Sequence, residues 1–123
     1  MNTNDQPTRG RPSILIIDDN RPTLELYAGA LHRDYQVFTC ADSDDAAALL
    51  AVQPMQLVIL EPTVAGSQGW TFLQEIVRSY RLPVIVCSGL EDRKSGLAAG
   101  AAAYLVKPVL PTTLLEVLKG ILN

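Results

Sequence analysis

The sequence predicts an α/β domain built on a doubly wound, five-stranded parallel sheet. Five short apolar runs alternate with longer segments of helical period, which is typical of a parallel sheet with helices on both faces. Three of the runs are almost uniform in Val, Ile and Leu, as strands covered on both faces require. The predicted strands are residues 13–17, 36–40, 56–60, 83–87 and 103–106. We expect the strand order 2-1-3-4-5, with a site at the carboxyl ends of the strands.

The segments between the strands carry helix signals. Asn20 is predicted to cap the first helix, with Pro22 in its opening turn. Asp42 or Ser43 is predicted to cap the second helix, ahead of an Ala-Leu run. Gly96 weakens the fourth helix, because glycine is a poor helix former. The third, fourth and fifth helices are expected near residues 70–80, near residues 91–99 and from Pro111 onward.

Length and composition point to one domain without a membrane segment. The chain has 123 residues, which we divide into a flexible tail over residues 1–12 and a domain over residues 13–123. The net charge of −3 argues against nucleic-acid binding, which favours a basic surface. No apolar run approaches the roughly 18 residues of a membrane span, so a cytoplasmic location is the default expectation.

Polar side chains stand at the ends of four predicted strands. Asp18 and Asp19 follow the first strand, Glu61 follows the third, Ser88 ends the fourth and Lys107 follows the fifth. Because the carboxyl ends of parallel strands meet at one edge, we expect these side chains to lie together. Adjacent carboxylates suit a hard cation such as Mg²⁺. Taken alone, the acid pair would more simply be a helix-capping acid and a solvated neighbour.

An acid pair, a third acid, a hydroxyl and a lysine, each at a strand end and in that order, resemble the receiver domain of bacterial two-component response regulators. The resemblance runs from about residue 13 to the end of the chain. It implies a flavodoxin-like fold and a signalling domain rather than an enzyme. The implied partners are a histidine kinase and an output domain or effector, with a homodimer through the fourth helix, fifth strand and fifth helix as a further option.

The resemblance also implies a role for each residue at the strand ends. Asp19 would bind Mg²⁺ directly and Asp18 would bind it through water, with Glu61 and Thr63 completing a weak metal site. In the family, the third acid is the aspartate that accepts a phosphoryl group from the kinase. Here that position is Glu61.

Further roles concern the phosphoryl group and the switch between signalling states. By resemblance, Ser88, Gly89, Lys107 and Thr63 would surround the phosphoryl oxygens. Ser88 would move with that group, and Tyr104 matches the family's switch aromatic on the fifth strand. An ordinary packed ring with its hydroxyl in water is an equally good interpretation of Tyr104.

Glutamate at position 61 argues against efficient phosphorylation. Its carboxylate lies further out by about one carbon–carbon bond, ~1.5 Å. The loop also has Ala65 where the family usually has proline, although it keeps a glycine at Gly69. Two outcomes stay open. Glu61 could imitate the phosphorylated aspartate and hold the partner-binding state, or the site could be inert and the domain a pseudo-receiver.

A rival hypothesis from another class is a small, Mg²⁺-dependent phosphatase of the haloacid-dehalogenase type. Those enzymes also combine an acid nucleophile with a later hydroxyl and lysine. They require Asp-x-Asp after the first strand, whereas Asp18 and Asp19 are adjacent here. The chain is also short for that fold with its substrate-covering insertions.

Overall fold

A computed structural model describes residues 10–123, and its architecture confirms the predicted one. The described strands form a five-stranded parallel sheet in the order β2-β1-β3-β4-β5. The strands are β1 Ser13–Ile17, β2 Gln36–Cys40, β3 Leu57–Leu60, β4 Val84–Ser88 and β5 Ala103–Val106. The helices are α1 Arg21–Leu31, α2 Ser43–Val52, α3 Gly69–Ser79, α4 Arg93–Ala98 and α5 Pro111–Leu122.

The three central strands, β1, β3 and β4, are buried at every position, which explains their uniform apolar sequences. Side chains alternate across a strand, so Leu15 and Ile17 join the core that α2 and α3 cover. Ile14 and Ile16 join the core that α1 and α5 cover on the other face. Because a core holds it on each face, the sheet is a rigid base for the side chains that follow its strands.

Several predicted boundaries move by one or two residues. β3 and β4 begin one residue later than predicted, at Leu57 and Val84. Pro83, just before β4, has no N–H, but its carbonyl accepts from the Val58 amide at 3.0 Å. Asp42 is the cap of α2, because its side chain accepts a hydrogen bond from the backbone amide of Asp45 in the first turn of the helix.

The fourth helix is shorter than predicted because it begins later. The side chain of Asp92 accepts from the Ser95 amide at 3.4 Å and caps a helix of six residues. The segment from Gly89 to Asp92 is therefore a loop, which joins β4 to α4 at the carboxyl edge of the sheet.

The predicted tail over residues 1–12 lies largely outside the described residues, which begin at Gly10. Arg11 donates from Nη1 to the carbonyl oxygens of His32 and Arg33, at 2.8 Å each. These contacts attach the segment before β1 to the turn that follows α1. Within residues 10–123, no helix is both long and apolar enough to cross a membrane.

The connection from β3 to α3 folds into 3-10 turns over Pro62–Gln68, where the sequence predicted only a loop. Gly66 has a φ of 59°, a conformation that side-chain-bearing residues rarely adopt. Gly69 packs so tightly that a Cβ built on it would lie 2.6 Å from the carbonyl oxygen of Pro62. The backbone that follows Glu61 is therefore held firmly against the start of α3.

We predict that Gly69→Ala destabilises the domain by about 1–3 kcal/mol, because the added methyl group overpacks against a backbone atom. Gly29→Ala in α1 is the matched control, since a Cβ there meets nothing within 4 Å. That control should be neutral or stabilising by up to about 1 kcal/mol. Chemical denaturation measures both variants. Equal stabilities would show that the turn tolerates a side chain at position 69.

Candidate signalling site at the carboxyl ends of the strands

Glu61 lies at the centre of a cluster of hydrogen-bonding groups at the carboxyl edge of the sheet. Its side chain is almost fully buried, since the residue is only 6% exposed. Oε2 accepts a hydrogen bond from the Ser88 hydroxyl at 2.8 Å and another from the Thr63 amide at 3.3 Å. Oε1 lies 3.1 Å from Nζ of Lys107. Both carboxylate oxygens of Glu61 are therefore occupied by donors from neighbouring elements.

Lys107 joins two buried carboxylates rather than one. Its Nζ donates to Oδ2 of Asp18 at 2.8 Å, in addition to the contact with Glu61. Asp18 is 2% exposed, and its Oδ1 accepts from the Asn20 amide at 2.9 Å. The sequence placed Lys107 beside the third acid, but the direct pairing with Asp18 was not predicted.

The donors around Glu61 keep it ionised despite its burial. Burial raises the pKa of the Glu61 carboxyl, but the hydrogen bonds from Ser88, Lys107 and Thr63 outweigh this effect and hold the pKa below its usual value. Burial lowers the pKa of Lys107, whereas its bonds to Asp18 and Glu61 raise it above the usual value. The cluster is thus one ammonium between two carboxylates, which leaves an excess of one negative charge.

A chain of hydrogen bonds links this cluster to Tyr104. The amide of Leu90 donates to Ser88 Oγ at 3.1 Å, and the carbonyl of Leu90 accepts from the hydroxyl of Tyr104. That hydroxyl also accepts from the Asp92 amide at 3.3 Å. Tyr104 is 3% exposed, so the interpretation that leaves its hydroxyl in water is wrong.

The other residues predicted for the site lie at the exposed edge of the cluster around Glu61. Asp19 and Thr63 are exposed, and only the backbone of Thr63 contacts Glu61. Gly89 is exposed too, and a Cβ built on it would meet nothing within 4 Å. Its part in holding phosphoryl oxygens stays a prediction. The sequence does not point to Leu90, because Leu90 acts through its backbone amide and carbonyl. The type of side chain gives no information about such contacts.

The fold agrees with the comparisons. The family model described as the response regulator receiver domain matches residues 14–119 of the chain. The chain belongs to the receiver family. Receiver domains are generally signalling domains rather than enzymes, and the comparisons give no support to the phosphatase hypothesis.

Curated relatives are longer than this chain. The transcriptional regulatory protein AruR of Pseudomonas aeruginosa is 30% identical over 123 residues, covering 91% of this chain and 50% of the relative. The transcriptional regulatory protein HprR of Escherichia coli is 34% identical over 99 residues, covering 77% of this chain and 44% of the relative. The chain therefore spans half or less of the length of these relatives.

Solved structures share the whole fold. A CheY-like receiver domain protein from Methanospirillum hungatei superposes with a TM-score of 0.85 at 26% identity, covering 92% of this chain and 94% of that one. A two-component response regulator from Clostridium difficile gives a TM-score of 0.85 at 24% identity, with 91% and 96% covered, and supports the fold alone.

Receiver domains typically bind Mg²⁺ at the phosphorylation site, and carboxylates are the donors that this ion prefers. In this chain, however, all four carboxylate oxygens of Asp18 and Glu61 accept from protein groups, and Lys107 lies between the two side chains. Among residues 10–123, no three His, Cys, Asp or Glu side chains are grouped to hold a metal ion. Mg²⁺ bound to these oxygens would therefore compete with Lys107 for Asp18 and Glu61.

We predict that Lys107→Met destabilises the domain by about 3 kcal/mol, because it leaves two buried carboxylates without their cation. The methionine keeps most of the length of the side chain and removes its charge. Lys94→Met, at an exposed position of α4, is the matched control and should change stability by less than about 0.5 kcal/mol. Thermal and chemical denaturation measure both variants. Equal stabilities of the two variants would show that the buried carboxylates do not need Lys107.

The same variant tests the competition between Lys107 and Mg²⁺. Adding Mg²⁺ should raise the melting temperature of Lys107→Met clearly more than that of the wild type or Lys94→Met, because the ion can then relieve the repulsion between Asp18 and Glu61. An equal Mg²⁺ effect on all three proteins would show that Lys107 does not occupy the cation position.

Proposed function

We propose that this chain is a receiver-like signalling domain of a two-component system or phosphorelay that acts through protein–protein contact without efficient phosphorylation at position 61. In this proposal, Glu61 holds the site in the arrangement that favours partner binding. The observation that carries it is the 2.8 Å hydrogen bond from the Ser88 hydroxyl to Glu61 Oε2. Ser88 is the residue that, by family resemblance, binds the phosphoryl group and moves with it.

The geometry of Glu61 supports the proposal that a phosphoryl group is added poorly. Transfer to a carboxylate depends on placing the attacking oxygen in line with the leaving group. A displacement of about 1 Å can already slow such a reaction on the order of a hundredfold. Ser88 and Lys107 already bind the oxygens of Glu61, so the groups that would receive the phosphoryl oxygens are occupied.

The contacts of Ser88 favour a partner-binding state over an inert site. An inert glutamate would leave the Ser88 hydroxyl and Tyr104 uncoupled from position 61. Instead, a continuous path runs from Glu61 through Ser88 and the backbone of Leu90 to the buried hydroxyl of Tyr104. Glu61 carries one negative charge against about −1.5 to −2 for a phosphoryl group, so its imitation of that group is partial.

The surface of α4, β5 and α5 is the proposed contact surface for a protein partner. A shallow cavity of about 300 Å³ lies there between Arg93, Leu110 and Thr113. Leu97 is 48% exposed and Leu110 is 67% exposed, which leaves apolar surface for a partner to cover. An output domain, a histidine kinase or a second copy of the chain could use this surface. We propose no nucleic-acid contact for this domain itself.

A weak Mg²⁺ site between Asp18, Asp19 and Glu61, next to Thr63, stays part of the proposal. In it the ion competes with Lys107, which already neutralises one of the two buried carboxylates. No step of the proposed function depends on the metal.

Small phosphodonors and beryllofluoride are expected not to modify or bind the wild-type domain stably in the presence of Mg²⁺. Glu61→Asp should recover part of the reaction, because it withdraws the carboxylate by one carbon and frees space between Ser88 and Lys107. Intact-mass measurement after donor treatment gives the extent of modification, with Glu61→Gln as the control that lacks a nucleophile. Stoichiometric phosphorylation of the wild type, lost in Glu61→Gln, would disprove the proposal.

The coupling itself has a separate test. Glu61→Gln and Ser88→Ala should each loosen Tyr104, because both weaken the path that ends at its hydroxyl. Trp70 is the one tryptophan of the chain, and its ring centroid lies 6.3 Å from that of Tyr104, so its emission reports the change. Glu116→Gln, on the exposed face of α5, is the control. Unchanged emission in both site variants would favour the inert pseudo-receiver.

A further inference from the structure

Gly96 occupies the centre of α4 and is buried against Tyr104. A Cβ built on Gly96 would lie 2.5 Å from Cδ2 and 2.6 Å from Cε2 of the tyrosine ring. The same Cβ would lie 3.5 Å from Cη2 of Trp70. The ring of Tyr104 therefore fills the space that any side chain at position 96 would need.

The ring of Tyr104 is held in place by contacts on several sides. The tilted ring of Trp70 packs beside it, and the guanidinium of Arg93 lies 6.0 Å from its centroid. Arg93 also donates to the carbonyl oxygen of Tyr104 at 3.0 Å. The hydroxyl is held at the other end by Leu90 and Asp92. Position 96 therefore has to lack a side chain if the ring is to stay where it is.

Gly96 differs from the two other glycines that lie in the interior of a helix. Glycine weakens any helix interior, and a six-residue helix has few hydrogen bonds to compensate for it. Gly29 in α1 and Gly120 in α5 also lie within helices, but a Cβ at either position would meet nothing within 4 Å. Gly96 is thus the helical glycine whose missing side chain is replaced by a neighbouring ring.

We propose that Gly96 is a positioning residue that determines the buried position of the Tyr104 ring, which we call its inward state, and with it the form of the surface made by α4 and β5. The inference rests on the proposed function only in taking that inward state as the partner-binding one. Glu61 acts on Tyr104 from the sheet edge, through Ser88 and Leu90. Gly96 acts from the helix, by leaving space. The two contributions are physically separate, so each can fail without the other.

The test begins with Gly96→Ala in the full chain. The added methyl group should expel the ring of Tyr104, shift the Trp70 emission and expose the Asp92 amide, which now bonds to the tyrosine hydroxyl. Amide exchange at Asp92 should become faster on the order of 5- to 100-fold, the range expected from overpacking by one methyl group. Gly29→Ala and Gly120→Ala add the same methyl group in open space and should leave both signals unchanged.

A second background separates a direct clash from a general loss of stability. Tyr104→Val removes the ring while keeping a residue suited to a strand. In that background, Gly96→Ala should no longer destabilise the domain, because the two ring atoms it would overlap are gone and the remaining contact with Trp70, at 3.5 Å, is an ordinary van der Waals contact. If Gly96→Ala alone fails to fold, recovery of a folded domain in the double variant supports the inference, and failure of the double variant contradicts it.

The outcomes distinguish this inference from the proposed function. If Gly96→Ala changes neither Trp70 emission nor Asp92 exchange, or costs as much with valine at position 104, Gly96 does not position the ring. The proposal for Glu61 would then stand. If Gly96→Ala expels the ring while Glu61→Gln and Ser88→Ala leave it in place, the role of Gly96 stands and the coupling from Glu61 fails.

Discussion

The ammonium group of Lys107 between Asp18 and Glu61 is the interaction on which the rest of the site depends. Two carboxylates that are almost fully buried would repel each other and lose their hydration, and that combination is strongly unfavourable without a nearby cation. Lys107 lies within 3.1 Å of both and is itself only partly exposed. Because these three residues follow β1, β3 and β5, the pairing also ties together the ends of three strands. It helps to keep Glu61 charged, and a charged acceptor strengthens the hydrogen bond from Ser88.

The hydrogen-bond path from Glu61 to Tyr104 is short because it passes through the backbone of a single residue, Leu90. The amide of Leu90 faces Ser88 and its carbonyl faces Tyr104, so a single residue joins the sheet edge to the ring on β5. The loop from Gly89 to Asp92 has little freedom to break one bond without disturbing the other. Its start is fixed by the fully buried strand β4, and its end is fixed by the cap of α4. A change in the position of Ser88 would therefore alter the surface of α4.

Sequence patterns predicted the sheet, its strand order and the gathering of Asp18, Glu61, Ser88 and Lys107, because hydrophobic periodicity and strand ends determine those features. They did not predict that Lys107 would bind Asp18 as well as Glu61, since a flexible side chain reaches several partners. The role of Leu90 was not predictable either, because backbone groups are the same in every residue. Gly96 looked only like a weak point in a helix. Its significance depends on its close packing against the ring of Tyr104, which lies on the next strand. No local sequence pattern predicts that contact.

Positions 61 and 96 both show the effect of a single carbon atom, which is added at position 61 and absent at position 96. At position 61 the chain has one carbon more than an aspartate, and the extra length brings Oε2 to within 2.8 Å of Ser88 Oγ. At position 96 it has one carbon less than an alanine, and the space holds the ring whose hydroxyl ends the same path. In a close-packed interior, one carbon atom is enough to decide whether a group reaches its partner or is excluded. Under the proposed function, the domain uses both features: Glu61 as an acceptor for Ser88 that needs no phosphoryl group, and the space at position 96 for the ring of Tyr104.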